Sequence, residues 1–487
     1  MNVPAVDEPV RRRIPIFIAV LTSDLLLRGV FALARRPFFD EKFTVWAALL
    51  PLPRLFAQLM RDSGPPLYYL IAHLLVPLSA VPVQTLRAFS IAVGMVPLFV
   101  ILRGQWLGRW RFAAAVLLVV VPANFYYTTE ARAYALCLSL VGVGVLAADR
   151  WLTDGGGRFL WLSMLAFLVA AWTHDYGVLF LPLPAIMAAV EARWREALRG
   201  AVAGVAAGIL YIPGFWLAWS QPREAIAWMA AGAPASPSAV AASIATQLGF
   251  AAKYPSYVLF DAPVVLRVIS ILVVALMAAA GLASPRGRRF AAVVLFPSLV
   301  VVGFSLAGKP VYFPMRFESV LTVPFVLWMG EGVAQWKWPG RAVLFGTATA
   351  VGVLACASMI LSQASAPPDP YEAAALYVRE NVPARVPIVT SGLVYLEVVM
   401  LENRTWDPLV IPFPASQAHH PGWRAVEPAR DLRKESEALR SLGSFVWVGE
   451  IQSPEFAVLA REFRIKPIQR AGPLGVVFAM KPGEGGS

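Results

Sequence analysis

Between Ile14 and Leu361 the chain is a succession of apolar runs. There are about eleven of them, each close to the length a helix needs to cross the ~30 Å hydrocarbon core of a bilayer. In hydrocarbon every backbone N–H and C=O must be satisfied within the chain, so runs of this kind can only be helices packed on one another. With 58% hydrophobic and 15% charged residues and a mean hydropathy of +0.63, the composition excludes a soluble globular fold for this part. The expected class is mainly α, a polytopic membrane protein.

The formal net charge of +12 does not call for nucleic acid, because the arginines sit in short connections between apolar runs, where the positive-inside rule puts them. Cys137 and Cys356 both lie within apolar runs and read as packed thiols. The run Ile14–Ala34 follows Arg11-Arg12-Arg13, is too long for a cleavable leader, and is expected to stay as the first span. It delivers residues 35–84 to the outer face. If Leu67–Val83 crossed, Arg103, Arg109 and Arg111 would fall outside, so this stretch is expected to lie in the interface as a juxtamembrane helix. Further spans are expected near Thr85–Leu102, Phe112–Phe125, Ala133–Ala148, Leu160–Trp172, Gly177–Val190 and Ala201–Trp219. After an outer stretch with Trp228 and an interfacial helix at Pro237–Ala252, the last four fall near Val258–Leu282, Phe290–Leu306, Val320–Gly332 and Ala342–Leu361.

Past Ala364 the composition becomes that of a soluble domain. Amphipathic helices are expected near Tyr371–Asn381, Ala429–Leu442 and Glu455–Phe463. Strands are expected at Val386–Thr390, Leu409–Pro412, Phe445–Val448 and Gly475–Met480. The alternation predicts a small three-layer α/β domain, residues 366–487, following a membrane domain of residues 1–365, with the α/β domain on the outer face.

The same threading gathers the polar residues that could do chemistry on that outer face. Asp40 and Glu41 follow the first span, and Glu130 stands between two spans; a carboxylate there can act as a general base. Arg132, His174, Lys309 and Arg316 can meet a phosphate, Arg in bidentate fashion. Tyr68, Tyr69, Tyr134, Tyr176 and Tyr312 suit the headgroup layer and a substrate. Pro65-Pro66 should start the helix carrying Tyr68, Tyr69 and His73. Asp24 and Arg28, spaced i,i+4 inside the first span, should neutralise each other. A base, cations for a leaving phosphate and apolar surface for a lipid tail together suit sugar transfer from a lipid phosphate to a hydroxyl. No ligand spacing demands a metal, although a divalent ion near Asp40, Glu41 and Glu130 stays open. A lipid-linked-sugar transporter or flippase is the rival class, disfavoured because no repeat is visible and the ionisable groups collect on one face. A non-catalytic lipid-sugar binding subunit is the third.

Four motifs in order resemble the GT-C superfamily of polyprenyl-phosphate-sugar glycosyltransferases, in the family-39-like branch with the protein O-mannosyltransferases and the lipid A aminoarabinose transferase. They are Phe39-Asp40-Glu41, Pro65-Pro66-Leu67-Tyr68-Tyr69, Glu130-Ala131-Arg132-Ala133-Tyr134-Ala135 and Thr173-His174-Asp175-Tyr176-Gly177. The likeness extends over roughly the stretch from Val10 to Gly340. It implies juxtamembrane helices in the first outer loop, Asp40 as catalytic base and an inverting hexosyl- or pentosyltransferase of the bacterial inner membrane with its site on the periplasmic side. The implied partners are a polyprenyl-phosphate-sugar donor, a lipid, glycan or protein acceptor, and membrane lipids. The family often has His before the Pro-Pro pair where this chain has Gly64, which shifts phosphate binding onto Arg132, His174, Lys309 and Arg316.

The threading is checked by labelling single cysteines in cells with an impermeant reagent. Residues 35–84 and 366–487 are expected to react from outside and Arg103–Arg111 only after permeabilisation; outside labelling at 103–111 would overturn it.

Overall fold

The computed structural model describes residues 13–62, 64–108, 110–221, 236–251, 262–309, 311–366, 369–401, 409–419, 429–471 and 474–480. Arg11, Arg12, Arg109, Trp228, Ala252 and residues 258–261, on which parts of the expected threading rest, lie outside them. The chain forms two compact units, one of residues 1–36 and 63–365, the other of residues 37–62 and 366–487.

In the first unit α1 (Arg13–Ala34) crosses first; α2 (Phe39–Leu49) and α3 (Leu52–Leu59) then belong to the second unit. Pro66 opens α4 (Leu67–Leu75), which runs into a 3-10 turn, Val76–Leu78. Nine plus three helical residues span ~18 Å, too short to cross, as expected for an interfacial helix. Next come α5 (Pro82–Gly94), α6 (Val96–Arg103), α7 (Arg111–Val120), α8 (Pro122–Tyr127), α9 (Tyr134–Asp154), α10 (Gly157–Thr173), α11 (Leu183–Ala189), α12 (Trp194–Leu210) and α13 (Ile212–Ser220). The short α14 (Pro237–Gln247) falls on the expected interfacial helix, and the unit ends with α15 (Val264–Gly281), α16 (Pro285–Leu306), α17 (Arg316–Gln335) and α18 (Gly340–Ala364).

Among the described residues seven helices are long and apolar enough to cross a membrane, α5 and α6 counting as one, and the bent pair α12–α13 offers an eighth. The other three expected crossings fall on shorter apolar helices: α7 with α8, α10, and α11 with the 3-10 turn Asp175–Phe180 before it. Proline sets the breaks. Pro97, Pro122 and Pro213 occupy the first turns of α6, α8 and α13, where the missing N–H costs nothing inside the new helix but interrupts the preceding one; α12 and α13 meet at 50°.

The centre of the bundle is α17, buried along nearly its whole length. Its close approach to α15 depends on Gly332, where a Cβ would stand 1.9 Å from the Met277 carbonyl oxygen. At the end of the bundle away from the Arg316 terminus of α17, buried and half-buried charges tie three helices and the turn after α11 together. Arg289 on α16 grips Glu191 with two bonds of 2.7 Å and donates to Asp149 on α9 at 2.9 Å, while Arg286 reaches Asp149 at 3.3 Å. Ser284 donates to Glu331 on α17 at 3.0 Å. Each carboxylate here lies among basic residues that the positive-inside reading places on the inner side.

The second unit holds a five-stranded sheet in the order β2-β1-β3-β5-β4. β1 (Ile388–Thr390) pairs in parallel with β2 (Val410–Pro412) and β3 (Ser444–Glu450); β5 (Leu474–Met480) pairs antiparallel with β3 and with β4 (Arg464–Ala471). Alternate residues serve opposite faces. Ile388, Val446, Val448 and Val476 pack with α19 (Pro370–Asn381) and α20 (Leu393–Leu401), whereas Val389, Phe445, Trp447, Val477 and Ala479 pack with α21 (Ala429–Leu439) and α22 (Pro454–Glu462). This is the expected three-layer α/β arrangement, with two elements the sequence reading lacked: α20 and the edge strand β4.

Candidate functional site

In the second unit, α2 carries the acidic pair. The two carboxylates have different surroundings. Glu41 is fully buried and its Oε2 accepts the Phe38 N–H at 2.8 Å, satisfying one of the free donors at the start of its own helix. Asp40 is only half-buried, although every other residue from Phe39 to Val45 is buried; its carbonyl accepts the Thr44 hydroxyl at 2.9 Å. Asp40 is thus the more exposed residue of the acidic pair, while Glu41 caps the start of the helix that carries both.

In the first unit, the other candidates converge. The segment Thr128–Ala133 links α8 to α9 and is held by buried polar groups. Arg28, paired with Asp24 at 2.7 Å as the i,i+4 spacing implied, donates to the Thr128 hydroxyl. Arg35 reaches the Thr129 carbonyl at 3.5 Å and lies over the Tyr126 ring at 4.6 Å. The Ser90 hydroxyl donates to the Glu130 carbonyl at 2.7 Å. Arg87 caps the end of α1, donating to the carbonyls of Ala32, Arg35 and Arg36 at 2.6, 2.7 and 3.0 Å. On this footing Glu130 is buried, and Arg132 stands half-buried, donating to the Tyr69 hydroxyl of α4 at 3.0 Å. Tyr68, one residue earlier, turns the other way and packs beside Phe89 of α5.

From Tyr134 an aromatic wall continues. Ring centroids are 5.1 Å apart for Tyr134 and His174, 4.9 Å for His174 stacked on Tyr176, 5.2 Å for Tyr176 and Phe317, and 6.1 Å for Phe317 and Tyr312. Arg316, at the first position of α17, lies with its guanidinium 5.7 Å from the Tyr134 ring centre and 4.8 Å from that of Phe313. The residue before it, Met315, has φ 70° and ψ −39°, a conformation a bulky L-residue adopts only when its surroundings impose it. Met315 is fully buried among Phe31, Tyr127, Tyr134 and Met359, and that packing fixes where Arg316 begins. Backbone strain of this kind is frequent beside functional groups.

His174 lies within electrostatic reach of both arginines. Burial, then the charges of Arg132 and Arg316, push its pKa from the ordinary 6.5 down to about 3. The ring is neutral at physiological pH, and its Nδ1 accepts the Tyr176 N–H at 3.2 Å. The hydrogen-bond pattern thus assigns the proton to Nε2, which is a donor. The Tyr176 hydroxyl donates to the Val311 carbonyl at 3.0 Å. That of Tyr312 lies 2.7 Å from both Ser243 Oγ and Glu318 Oε1, so it braces the start of α17. Lys309 is exposed, and no ring contact or ion pair joins it to this wall among the described residues.

Sequence reasoning passed over Glu318, Phe313, Phe317, Arg35, Arg87, Ser90 and Lys42. Of these only Glu318 left a legible trace, as a carboxylate two positions from Arg316 at the mouth of an apolar run. Among the described residues no group of three or more His, Cys, Asp or Glu side chains is gathered that could hold a metal ion.

No protein-family model matches the chain, and no curated protein matches it in sequence. Among solved structures it is similar to ArnT from Cupriavidus metallidurans bound to undecaprenyl phosphate, with a TM-score of 0.62 and 11% identity over 96% of this chain and 99% of that one. The same protein in the apo state gives 0.59 and 11% over 95% and 97%. The fold is therefore ArnT-like, mainly α and polytopic as expected.

The depressed pKa of His174 has a measurable consequence. An unfolded chain binds a proton at this histidine as pH falls through 6.5, while the folded chain does not until about 3. Its contribution is fully present above the unfolded value and is lost as pH falls through that window. The thermal midpoint of the detergent-solubilised protein should drop less between about pH 7 and 4.5 in His174→Gln than in wild type. Parallel slopes would contradict the buried neutral ring.

Proposed function

We propose that this chain is an inverting glycosyltransferase of the bacterial inner membrane. It takes a sugar from a polyprenyl-phosphate donor on the periplasmic side and passes it to a hydroxyl acceptor. The observation that carries this reading is the convergence of Arg132, Arg316 and the Nε2–H of neutral His174 on one aromatic wall, within a fold like that of an ArnT bound to undecaprenyl phosphate. Two guanidiniums and an imidazole N–H suit a phosphate whose negative charge grows as it leaves. The neutral ring serves better than an imidazolium would, since it donates without adding a third charge to a crowded site. Tyr69 keeps Arg132 oriented.

In the reaction, the Asp40 carboxylate takes the proton of the acceptor hydroxyl while that oxygen forms a bond to the anomeric carbon. The bond between the anomeric carbon and the phosphate oxygen breaks, and its electron pair leaves with polyprenyl phosphate. The configuration inverts because attack and departure lie on opposite sides. Phosphate is a good leaving group at neutral pH, so no general acid is required. The apolar bundle suits a lipid tail, and the three-layer domain stands on the same periplasmic side as Asp40.

The test separates proton transfer from phosphate binding. Asp40→Asn should lower transfer on the order of 100-fold while sparing binding of undecaprenyl phosphate. Arg132→Ala and Arg316→Ala should each weaken that binding by about 1.5–3 kcal/mol, the worth of a charged hydrogen bond, and Lys should fail to substitute where the contact is bidentate. Normal transfer by a folded Asp40→Asn removes Asp40 from the mechanism, and normal binding by both arginine variants removes the phosphate assignment.

A further inference from the structure

The helix that presents Asp40 is not rooted in the loop where the sequence places it. Residues 37–62 fold as one compact unit with residues 366–487. The root is Lys42, whose ammonium lies 2.9 Å from Glu372 Oε2 on α19 and 2.9 and 3.0 Å from the two oxygens of Glu397 on α20. Lys42 and Glu397 are both buried, with side chains 8% and 4% exposed, while Glu372 is at the surface. Residues two apart on a helix point to nearly opposite sides, so the anchor grips α2 from behind and leaves Asp40 facing away. Glu41 and Thr44 fix the same turn from within, through the Phe38 N–H and the Asp40 carbonyl.

Burial works against the Lys42 ammonium, yet its two carboxylate partners hold its pKa above the ordinary lysine range. Burial likewise raises the pKa of Glu397 against the pull of Lys42. A buried ion pair of this sort contributes little net stability compared with apolar packing, but it tolerates only one geometry. Its effect is to specify where a helix lies.

We infer that Lys42, Glu397 and Glu372 are positioning residues for the transfer reaction, and that the C-terminal α/β domain exists in part to hold the Asp40 helix in register. This rests on the glycosyltransferase reading above. The domain is then a working part of the enzyme, coupled to the Asp40 helix through the buried Lys42 ammonium. Anything that displaces α19 or α20 would move Asp40.

The experiment uses the full chain in lipid nanodiscs, with radiolabelled polyprenyl-phosphate sugars for transfer and undecaprenyl phosphate for binding. Lys42→Met should lower kcat by roughly tenfold or more with the donor KM within about twofold, because register is lost and phosphate binding is not. The exchanged pair Lys42→Glu with Glu397→Lys should recover most of the loss that either change causes alone. Amide exchange over α2 should quicken in Lys42→Met while that of β3 stays unchanged. If Lys42→Met fails to fold, Glu372→Gln, which keeps the buried pair, should still lower kcat and leave the donor KM in place. An unchanged kcat in a folded Lys42→Met, equal losses in kcat and donor binding, or an exchanged pair no better than the single variants would each overturn the inference. A wild-type chain that transfers no sugar brings down the glycosyltransferase reading and this inference together, whereas an active wild type with an unaffected Lys42→Met brings down the inference alone.

Discussion

A charge enclosed by apolar helices has to be met by a carboxylate or by several carbonyl oxygens, because an uncompensated one costs several kcal/mol. This protein turns that requirement into architecture. Arg28 is met by Asp24 and Thr128, Arg87 by three carbonyls at the end of α1, and Arg35 by the Thr129 carbonyl and the face of Tyr126. Apart from the Arg28–Asp24 pair within the first span, these contacts end on the stretch Tyr126–Thr129 that leads to Arg132 or on the end of α1 and the two residues after it. The polar groups that could not be left unpaired thus fix the place of Arg132.

The same logic distributes the remaining charge. The cluster of Asp149, Glu191, Arg286, Arg289 and Glu331 closes one end of the bundle, and the aromatic wall with Arg132, His174 and Arg316 occupies another region of the same unit, at the opposite end of α17. Between them α17 runs buried and nearly featureless, so both ends are tied to one rigid element. Met315 shows the consequence: its backbone is forced to positive φ so that Arg316 can begin the helix where the wall needs it.

Much of this was legible in the sequence, because the bilayer simplifies the reading. Among the described residues, eight of the eleven expected crossings fall on helices or helix pairs long and apolar enough to span and three on shorter apolar helices, and the period-2 and helical patterns located four of the five strands and three of the four α-helices described in the C-terminal domain. The misses have physical causes. Leu393–Leu401 is apolar but for Glu397 and rich in Val, so its pattern does not distinguish a buried helix from a strand. Arg464–Ala471 carries Arg, Lys and a Pro at its register shift, the marks of an edge strand guarded against further pairing, which read as loop. Arg132, His174 and Arg316 could be found because charge next to an apolar run is costly and therefore informative. Lys42 could not, since its partners lie more than 300 positions away and nothing local signals them.

The central claim is that the two arginines and the neutral histidine serve a group transfer and not the passage of a lipid across the membrane. The direct measurement is the appearance of radiolabelled sugar in product when membranes containing the chain receive polyprenyl-phosphate sugar extracted from their own host. The account predicts labelled acceptor with inverted anomeric configuration and release of polyprenyl phosphate. Donor that crosses the bilayer with its sugar still attached, and no labelled acceptor, would contradict it.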